Sequence, residues 1–233
     1  YLPKKRNNIY VCCEKSFELY ATAISIILSN NIWTPISVNL PLEKMKKQIK
    51  ESQIDLFILQ NRNSSFNKKI IKILKASKIR FITTDDIKQS KKSVLEKRRY
   101  KDNDISVIYF TSGSTGIPKG VPISFKNFIT SFNFQCETIY KNEKKLVIVD
   151  IHDISFVISL NIIIPCIYFG GTIVPAKFFS ESVMPLELIR SNKVNCFITV
   201  PSTINRILIS KQITKKINLK ILICCGEPFY FKI

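Results

Sequence analysis

Short β-branched runs alternate with helical patterns along almost the whole chain, and this alternation restricts the fold more than any other feature. Residues 8–13 are typical of a buried strand, and residues 14–30 carry apolar side chains at helical spacing. The same order recurs at residues 55–59 and 67–77. Because parallel strands need long crossovers, which are usually helical, this order predicts an α/β fold with doubly wound, largely parallel sheets flanked by helices.

One uncharged stretch, residues 154–176, is long enough to span a bilayer. It contains Asn161, Pro165 and two adjacent glycines, Gly170 and Gly171. We therefore interpret it as a buried helix that ends near Pro165, a turn at the glycines and a strand at 172–174. The sequence predicts no stable membrane span.

The charge is strongly one-sided: 36 Lys and Arg against 17 Asp and Glu give a net charge of +19. Such a charge is found in proteins that bind nucleic acids or membrane surfaces. The lysines are spread along the chain among many Ile and Asn residues, a bias that AT-rich coding produces, and no nucleic-acid motif accompanies them. The densest run, residues 88–101, is interpreted as a solvated linker or helix face, although docking of an acidic partner there stays open. Nucleic-acid binding is not predicted; as a hypothesis it rests on charge alone.

The 7 cysteines include no C-x-x-C pattern, and the chain has only 1 histidine. This composition does not predict a zinc site or any other metal site in the chain. Buried, reduced thiols are the expected state, which favours a cytoplasmic location.

A glycine-rich run at residues 113–120, Gly-Ser-Thr-Gly-Ile-Pro-Lys-Gly, holds three of the 6 glycines in the chain. Glycines let backbone N–H groups approach an anion closely, while hydroxyls add donors and Lys119 adds a positive charge. We interpret the run as a phosphate cradle in preference to an exposed Gly-Ser turn. Its spacing excludes the G-x-x-x-x-G-K-[ST] loop, because Lys119 precedes the last glycine. The residues assigned to the cradle are Thr111, Ser112, Gly113, Ser114, Thr115, Gly116, Lys119 and Gly120.

The segment Thr-Ser-Gly-Ser-Thr-Gly-Ile-Pro-Lys-Gly, residues 111–120, resembles the signature loop of the adenylate-forming (AMP-binding) synthetases and ligases. Residues 156–159, 165–171, 200–202 and 225–228 resemble, in order, segments of the amino-acid-activating branch, which includes nonribosomal peptide synthetase domains. D-alanine–carrier-protein ligases are the most similar type. The resemblance implies an incomplete N-terminal AMP-binding domain, with a first α/β subdomain over residues 1–101 and the start of a second over residues 102–233.

This resemblance implies a reaction in which ATP and Mg²⁺ activate an amino acid or a small related acid. The products are an acyl-adenylate and pyrophosphate, and the acyl group then passes to the pantetheine thiol of a carrier protein. Lys119 would offset phosphate charge in catalysis, and Gly226 and Glu227 would lie between the adenine and acyl pockets. The magnesium ligand, a catalytic lysine and the C-terminal domain are expected beyond residue 233, so this chain alone is expected to be inactive. Two alternatives stay open: an acyl-CoA or fatty-acyl-AMP ligase, and a truncated, non-catalytic remnant.

The chain departs from the amino-acid-activating pattern at Val157, where the resemblance implies an aspartate that binds the substrate ammonium. Leaving an ammonium without a carboxylate partner in a buried pocket is costly. Three interpretations remain open. In the first, Asp153 supplies the negative charge from one helical turn earlier. In the second the substrate lacks an amine, and in the third the protein is inactive.

Overall fold

The computed structural model describes residues 6–89, 99–112, 118–143, 145–210 and 217–228. The chain divides into two compact units, Tyr1–Ile129 and Thr130–Ile233. The first unit contains strands β1 (Asn8–Cys12), β2 (Ile32–Pro35), β3 (Leu56–Leu59), β4 (Phe81–Thr83), β5 (Ile105–Ser112) and β6 (Pro118–Ser124). Its helices are α1 (Phe17–Leu28), α2 (Leu42–Glu51), α3 (Ser65–Ala76) and α4 (Thr84–Gln89), and α5 (Phe125–Thr138) crosses the division.

The second unit has strands β7 (Val147–Asp150), β8 (Thr172–Pro175), β9 (Cys196–Thr199) and β10 (Ile221–Cys224). Its remaining helices are α6 (Ile158–Tyr168), α7 (Phe179–Val183), α8 (Leu186–Ser191) and α9 (Pro201–Ile209).

The sheet of the first unit has the strand order β4-β3-β1-β2-β5-β6, parallel except for β6. Alternate residues of a strand face opposite sides, and Tyr10 and Cys12 of β1 join one core cluster with Met45 of α2 and Ile70 of α3. Helices α2 and α3 therefore cover the same face of this sheet. Helix α1 connects β1 to β2, and this connection crosses the sheet in the direction opposite to the connections that contain α2 and α3. Because connections between parallel strands are right-handed, α1 lies on the other face of the sheet.

The sheet of the second unit has the order β10-β9-β7-β8, and every pair of neighbours is parallel. All residues of β9 are buried, as expected for a central strand that helices cover on both faces. Two core clusters pack against this sheet, one around Phe197 and one around Ile198. The predicted fold class, largely parallel α/β with flanking helices, is confirmed.

Helix α6 corrects one expectation, because it does not end near Pro165 but continues through it to Tyr168. The proline removes the N–H that would bond to the carbonyl of Asn161, which usually costs ~3 kcal/mol or more in a helix interior. Pro165 and its neighbour Cys166 are buried, so packing against the sheet offsets this loss. The predicted turn at the glycines and the strand that follows are present, and the strand extends to Pro175. Among the described residues, no helix combines the length and apolarity needed to cross a membrane.

The two compact units divide after Ile129, and the predicted subdomain bounds, residues 1–101 and 102–233, stay a prediction. Strands β5 and β6 follow residue 101 in sequence, yet they extend the first sheet. The first compact unit therefore reaches Ile129.

Candidate functional site

The glycine-rich run lies at the end of a β-hairpin in the first unit. Strands β5 and β6 pair antiparallel, with Thr111 opposite Lys119 and Ser112 opposite Pro118 as the last two pairs. These pairs bring together the two described ends of the predicted cradle. Four of its predicted residues, Gly113, Ser114, Thr115 and Gly116, lie outside the described part of the chain.

Thr111 and Lys119 lie side by side at these ends, and both are exposed. The hydroxyl of Thr111 donates a hydrogen bond to the backbone carbonyl of Lys119, with Oγ1 and O 3.4 Å apart. Directly opposed residues of an antiparallel pair have Cβ atoms about 4.5–5.5 Å apart, so their side chains share one neighbourhood. The hairpin thus presents a hydroxyl and an ammonium together, which is the donor chemistry that suits a phosphate.

Gly120 has a packing role that the sequence did not reveal. A Cβ atom at this position would lie 3.2 Å from Cγ2 of Ile108 and 3.4 Å from Cζ of Phe110. The first contact is tighter than an ordinary van der Waals contact, so a larger residue would require the Ile108 side chain to shift by a few tenths of an ångström. The predicted contact of Gly120 with phosphate stays a prediction.

In the second unit, the segment around Gly226 and Glu227 meets the start of α9. Gly226 has a φ of 85°, a left-handed conformation that favours glycine, and Cγ1 of Val200 lies 3.5 Å from where its Cβ would be. The backbone N–H of Ser202 donates to Oε2 of Glu227 at 2.9 Å, and its hydroxyl donates to Oε1 at 3.0 Å. The positive end of the α9 dipole favours a carboxylate at this position. The two sequence segments, 200–202 and 225–228, are therefore in direct contact.

Ser202, the partner of Glu227, is not among the predicted site residues. It follows Pro201, the first residue of α9, and proline at a first helical position is a common signal of a helix N-terminus. That signal predicts free backbone N–H groups near Ser202. It does not identify Glu227 as their partner, because the contact depends on β9 and β10 being neighbours in the sheet.

Asp153 and His152 lie just after strand β7. Oδ1 of Asp153 accepts hydrogen bonds from the backbone N–H of Ser155 at 3.0 Å and from its hydroxyl at 2.7 Å. This side chain closes the turn that precedes α6, as short polar residues often do before helices. Nε2 of His152 lies 3.2 Å from the carbonyl oxygen of Ile198, so Nε2 carries the proton and donates.

Val157 lies at the start of α6 with 54% of its surface exposed, and its neighbour Phe156 is 63% exposed. Exposed apolar side chains beside the carboxyl ends of parallel strands are typical of the walls of ligand sites in α/β proteins. The predicted role of Val157 in a substrate pocket stays a prediction.

The architecture is that of an α/β protein with largely parallel sheets, and comparison with known proteins identifies the family. The model of the AMP-binding enzyme family matches residues 3–230. The chain therefore belongs to the AMP-binding enzymes.

Among curated proteins, the chain is similar to a D-alanine–D-alanyl carrier protein ligase of Staphylococcus aureus (strain JH9). The two are 26% identical over 199 residues, which is 84% of this chain and 39% of the relative. The chain thus spans well under half the length of this curated relative.

Two solved structures show the same fold. The o-succinylbenzoate CoA synthetase of Bacillus subtilis, in complex with its acyl-adenylate intermediate, matches with a TM-score of 0.79 at 16% identity, covering 97% of this chain and 57% of that one. A nonribosomal peptide synthetase matches with a TM-score of 0.78 at 16% identity, covering 97% of this chain and 24% of that one.

Proposed function

We propose that this chain takes part in the ATP-dependent activation of a carboxylic acid, an amino acid or a small related acid, as an acyl-adenylate. The observation that carries the proposal is the β5–β6 hairpin, which presents the Thr111 hydroxyl and the Lys119 ammonium beside the glycine-rich run. Membership of the AMP-binding enzymes supports it. A cytoplasmic location is part of the same proposal.

In this reaction the substrate carboxylate attacks the α-phosphorus of ATP. The bond from that phosphorus to the oxygen bridging the α- and β-phosphates breaks, and pyrophosphate leaves with the negative charge. Lys119 offsets the charge of the departing phosphates, and the Thr111 hydroxyl donates a hydrogen bond to them once it leaves its 3.4 Å hydrogen bond to the carbonyl of Lys119. Removing one such donor in other enzymes costs about 3–4 kcal/mol of transition-state stabilisation. Magnesium would neutralise further phosphate charge.

The chemistry does not require a thiol of the enzyme, and the cysteines agree with this. Burial raises the pKa of the thiols of Cys13, Cys166 and Cys196 to about 12. At neutral pH these side chains remain protonated and are poor nucleophiles. The acyl group would pass directly from the adenylate to the thiol of the acceptor, with AMP as the leaving group.

A carrier protein with a pantetheine thiol is the proposed acceptor. The curated relative is named a D-alanine–D-alanyl carrier protein ligase, which supports a carrier protein and an amino acid. The solved synthetase named for CoA supports the alternative acceptor. Val157, in place of an aspartate, favours a substrate without an amine unless Asp153 supplies the charge.

Pyrophosphate exchange tests the proposal on the longest natural form of the protein. The acids would be D-alanine, other small amino acids, their hydroxy and keto analogues, and a fatty acid. Exchange that depends on one of these acids is expected. Exchange with none of them, together with retained binding of ATP measured by calorimetry, would favour the non-catalytic remnant.

Lys119→Ala tests the phosphate role within that assay. We expect exchange to slow by at least about a hundredfold while the KM for the acid changes little, since Lys119 acts on the leaving group. Lys126→Ala, which removes an exposed lysine from the same unit, is the matched control and should leave exchange unchanged. Equal rates for Lys119→Ala and the control would remove the role assigned to Lys119.

A further inference from the structure

Helices α2 and α3 carry an unbalanced positive charge on their outer surface. Each helix buries one side against the sheet, through Met45 and Ile49 in α2 and through Ile70 and Leu74 in α3. The opposite sides are rich in exposed lysines, which we name the α2–α3 lysine face. Its six residues are Lys44, Lys47, Lys50, Lys68, Lys72 and Lys75.

The lysine face is continuous because the two helices are neighbours on one side of the sheet. Within α3, Lys68, Lys72 and Lys75 are spaced by four and three residues, so they form a single row. The spacing of three residues between Lys44, Lys47 and Lys50 aligns the lysines of α2 in the same way. Packed helices lie about 8–10 Å apart, so the two rows run side by side.

The ion pairs found in the described part of the chain leave this face unneutralised. They join Arg6 with Asp104, Arg62 with Asp86, Lys88 with Glu18, Arg190 with Glu187, and Lys220 with Glu143. None of them involves a lysine of α2 or α3, and the sequence of α3 contains no acidic residue.

Helix α1, which covers the other face of the sheet, has the sequence FELYATAISIIL, with one glutamate and no lysine or arginine. Only Phe17, Ser25 and Leu28 of this helix are exposed. Among α1, α2 and α3, the exposed lysines therefore belong to α2 and α3 alone.

We propose that the α2–α3 lysine face docks the acidic surface of a partner protein. The proposal is independent of the adenylation chemistry, since none of these lysines belongs to the predicted ATP site. Rows of lysines spaced by three and four residues match a helix that carries carboxylates at the same spacing, as charge complementarity requires.

Other anionic partners fit the surface less well. Proteins that bind single-stranded nucleic acid usually add aromatic side chains for stacking, and helices that lie in a membrane interface insert large apolar ones. None of the large apolar side chains exposed in the described residues belongs to α2 or α3. Glu43 and Glu51 are exposed at the two ends of α2 and lower its positive charge, so α3, which has no acidic residue, carries most of the charge of this face.

The interface would be small. Helix α3 has 12 residues and is therefore about 18 Å long. Two helices side by side offer a footprint of about 400 Å², which is at the low end of the range for transient complexes. Binding should be weak, rapid and sensitive to salt.

The test measures the binding of a fluorescent 20-residue helical peptide, with glutamates at every third and fourth position, by anisotropy. The variant Lys68→Gln/Lys72→Gln/Lys75→Gln keeps residues that favour helix but removes three charges from the face. The matched control, Lys141→Gln/Lys177→Gln/Lys193→Gln, removes three exposed lysines of the second unit, so both variants have the same net charge. Far-ultraviolet circular dichroism checks that both variants are folded.

At 50 mM NaCl we expect the α3 variant to bind the peptide about tenfold more weakly than the wild type, and the control to stay within about twofold. Raising NaCl to 300 mM should weaken wild-type binding by at least about tenfold. Equal losses in the two variants would show that binding follows net charge alone, and would overturn the proposal. Tighter binding to a 20-base-pair DNA duplex or to phosphatidylserine vesicles, lost in the α3 variant, would also overturn it in favour of that ligand.

Discussion

At the scale of single residues, Glu227 combines a predicted place beside the nucleotide with a structural contact. Its carboxylate accepts two hydrogen bonds from Ser202 at the N-terminus of α9. We expect Glu227→Ala to lower the free energy of unfolding by about 1 kcal/mol, which is typical for the loss of a helix cap. Urea unfolding followed by circular dichroism measures this loss.

A double-mutant cycle with Ser202→Ala separates the cap from other effects of the substitution. The hydroxyl of Ser202 supplies one of the two hydrogen bonds, so the two substitutions should be non-additive. Additive losses, or full stability of Glu227→Ala, would mean that the contact does not stabilise α9.

Val157 tests the substrate class directly. Because more than half of its surface is exposed, Val157→Asp should fold without burying an unpaired charge. If residue 157 faces the substrate, the aspartate should shift the ratio of kcat/KM toward acids that carry an amine, by about tenfold or more, since hydrogen bonds between charged groups contribute about 1.5–3 kcal/mol.

The acid-dependent exchange assay measures the effect of Val157→Asp with D-alanine and its hydroxy analogue as a pair. The control is Ile209→Asp, which places the same charge at another exposed apolar position of the second unit. An identical substrate profile in the wild type and Val157→Asp would show that residue 157 lies away from the acid.

At the scale of elements, the helix ends show how a chain with only 6 glycines terminates its helices. After α3, Lys78 has a φ of 56°, its N–H bonds to the carbonyl of Lys75, and the N–H of Ile79 bonds to the carbonyl of Leu74. This pair of hydrogen bonds is a Schellman motif, which usually has glycine at the left-handed position. Asn30 and Lys193 take the same conformation after α1 and α8.

Lys78→Gly should therefore stabilise the protein. Glycine adopts the left-handed conformation without the steric cost of a Cβ. Its greater conformational freedom in the unfolded chain offsets part of this gain, so the free energy of unfolding should rise by about 0.5–1 kcal/mol. Lys75→Gly, within α3, is the control and should destabilise by up to about 1 kcal/mol. Unfolding free energies in urea give both values, and a loss of stability in Lys78→Gly would contradict the argument.

Most strands and helices could be predicted because their apolar residues follow the period of the element that buries them. Strand β6 was missed because Pro118, Gly120 and Pro122 interrupt its alternation, and an edge strand tolerates proline where a central strand does not. The predicted end of α6 was wrong because proline usually ends an isolated helix, whereas the packing of Pro165 against the sheet lets α6 continue to Tyr168.

The candidate site divides in the same way. The glycines and hydroxyls of the predicted cradle stand out in local composition, and β5 and β6 pair Thr111 with Lys119, while contact with phosphate stays a prediction. The contact between Ser202 and Glu227 could not be read from the sequence, because strand neighbours in the sheet bring the two residues together. Local patterns predict local chemistry, and contacts across a sheet need its strand order.

At the scale of the whole molecule, a net charge of +19 makes self-repulsion a general cost of the compact state. Salt screens this repulsion, but it also screens the exposed ion pairs, each of which contributes only about 0–1 kcal/mol. We expect repulsion to dominate, so the free energy of unfolding should rise by about 1 kcal/mol between 20 and 300 mM NaCl. Urea unfolding at the two salt concentrations measures this change.

The variant Lys68→Gln/Lys72→Gln/Lys75→Gln sharpens the experiment, because it removes three charges from a face that the ion pairs of the described residues leave unneutralised. Its stability at 20 mM NaCl should exceed that of the wild type, and its response to salt should be smaller. If the wild type instead loses stability as salt is added, the ion pairs outweigh the repulsion. In that case repulsion among the lysines of α2 and α3 does not lower the free energy of unfolding measurably, and only the peptide-binding experiment would detect an effect of these lysines.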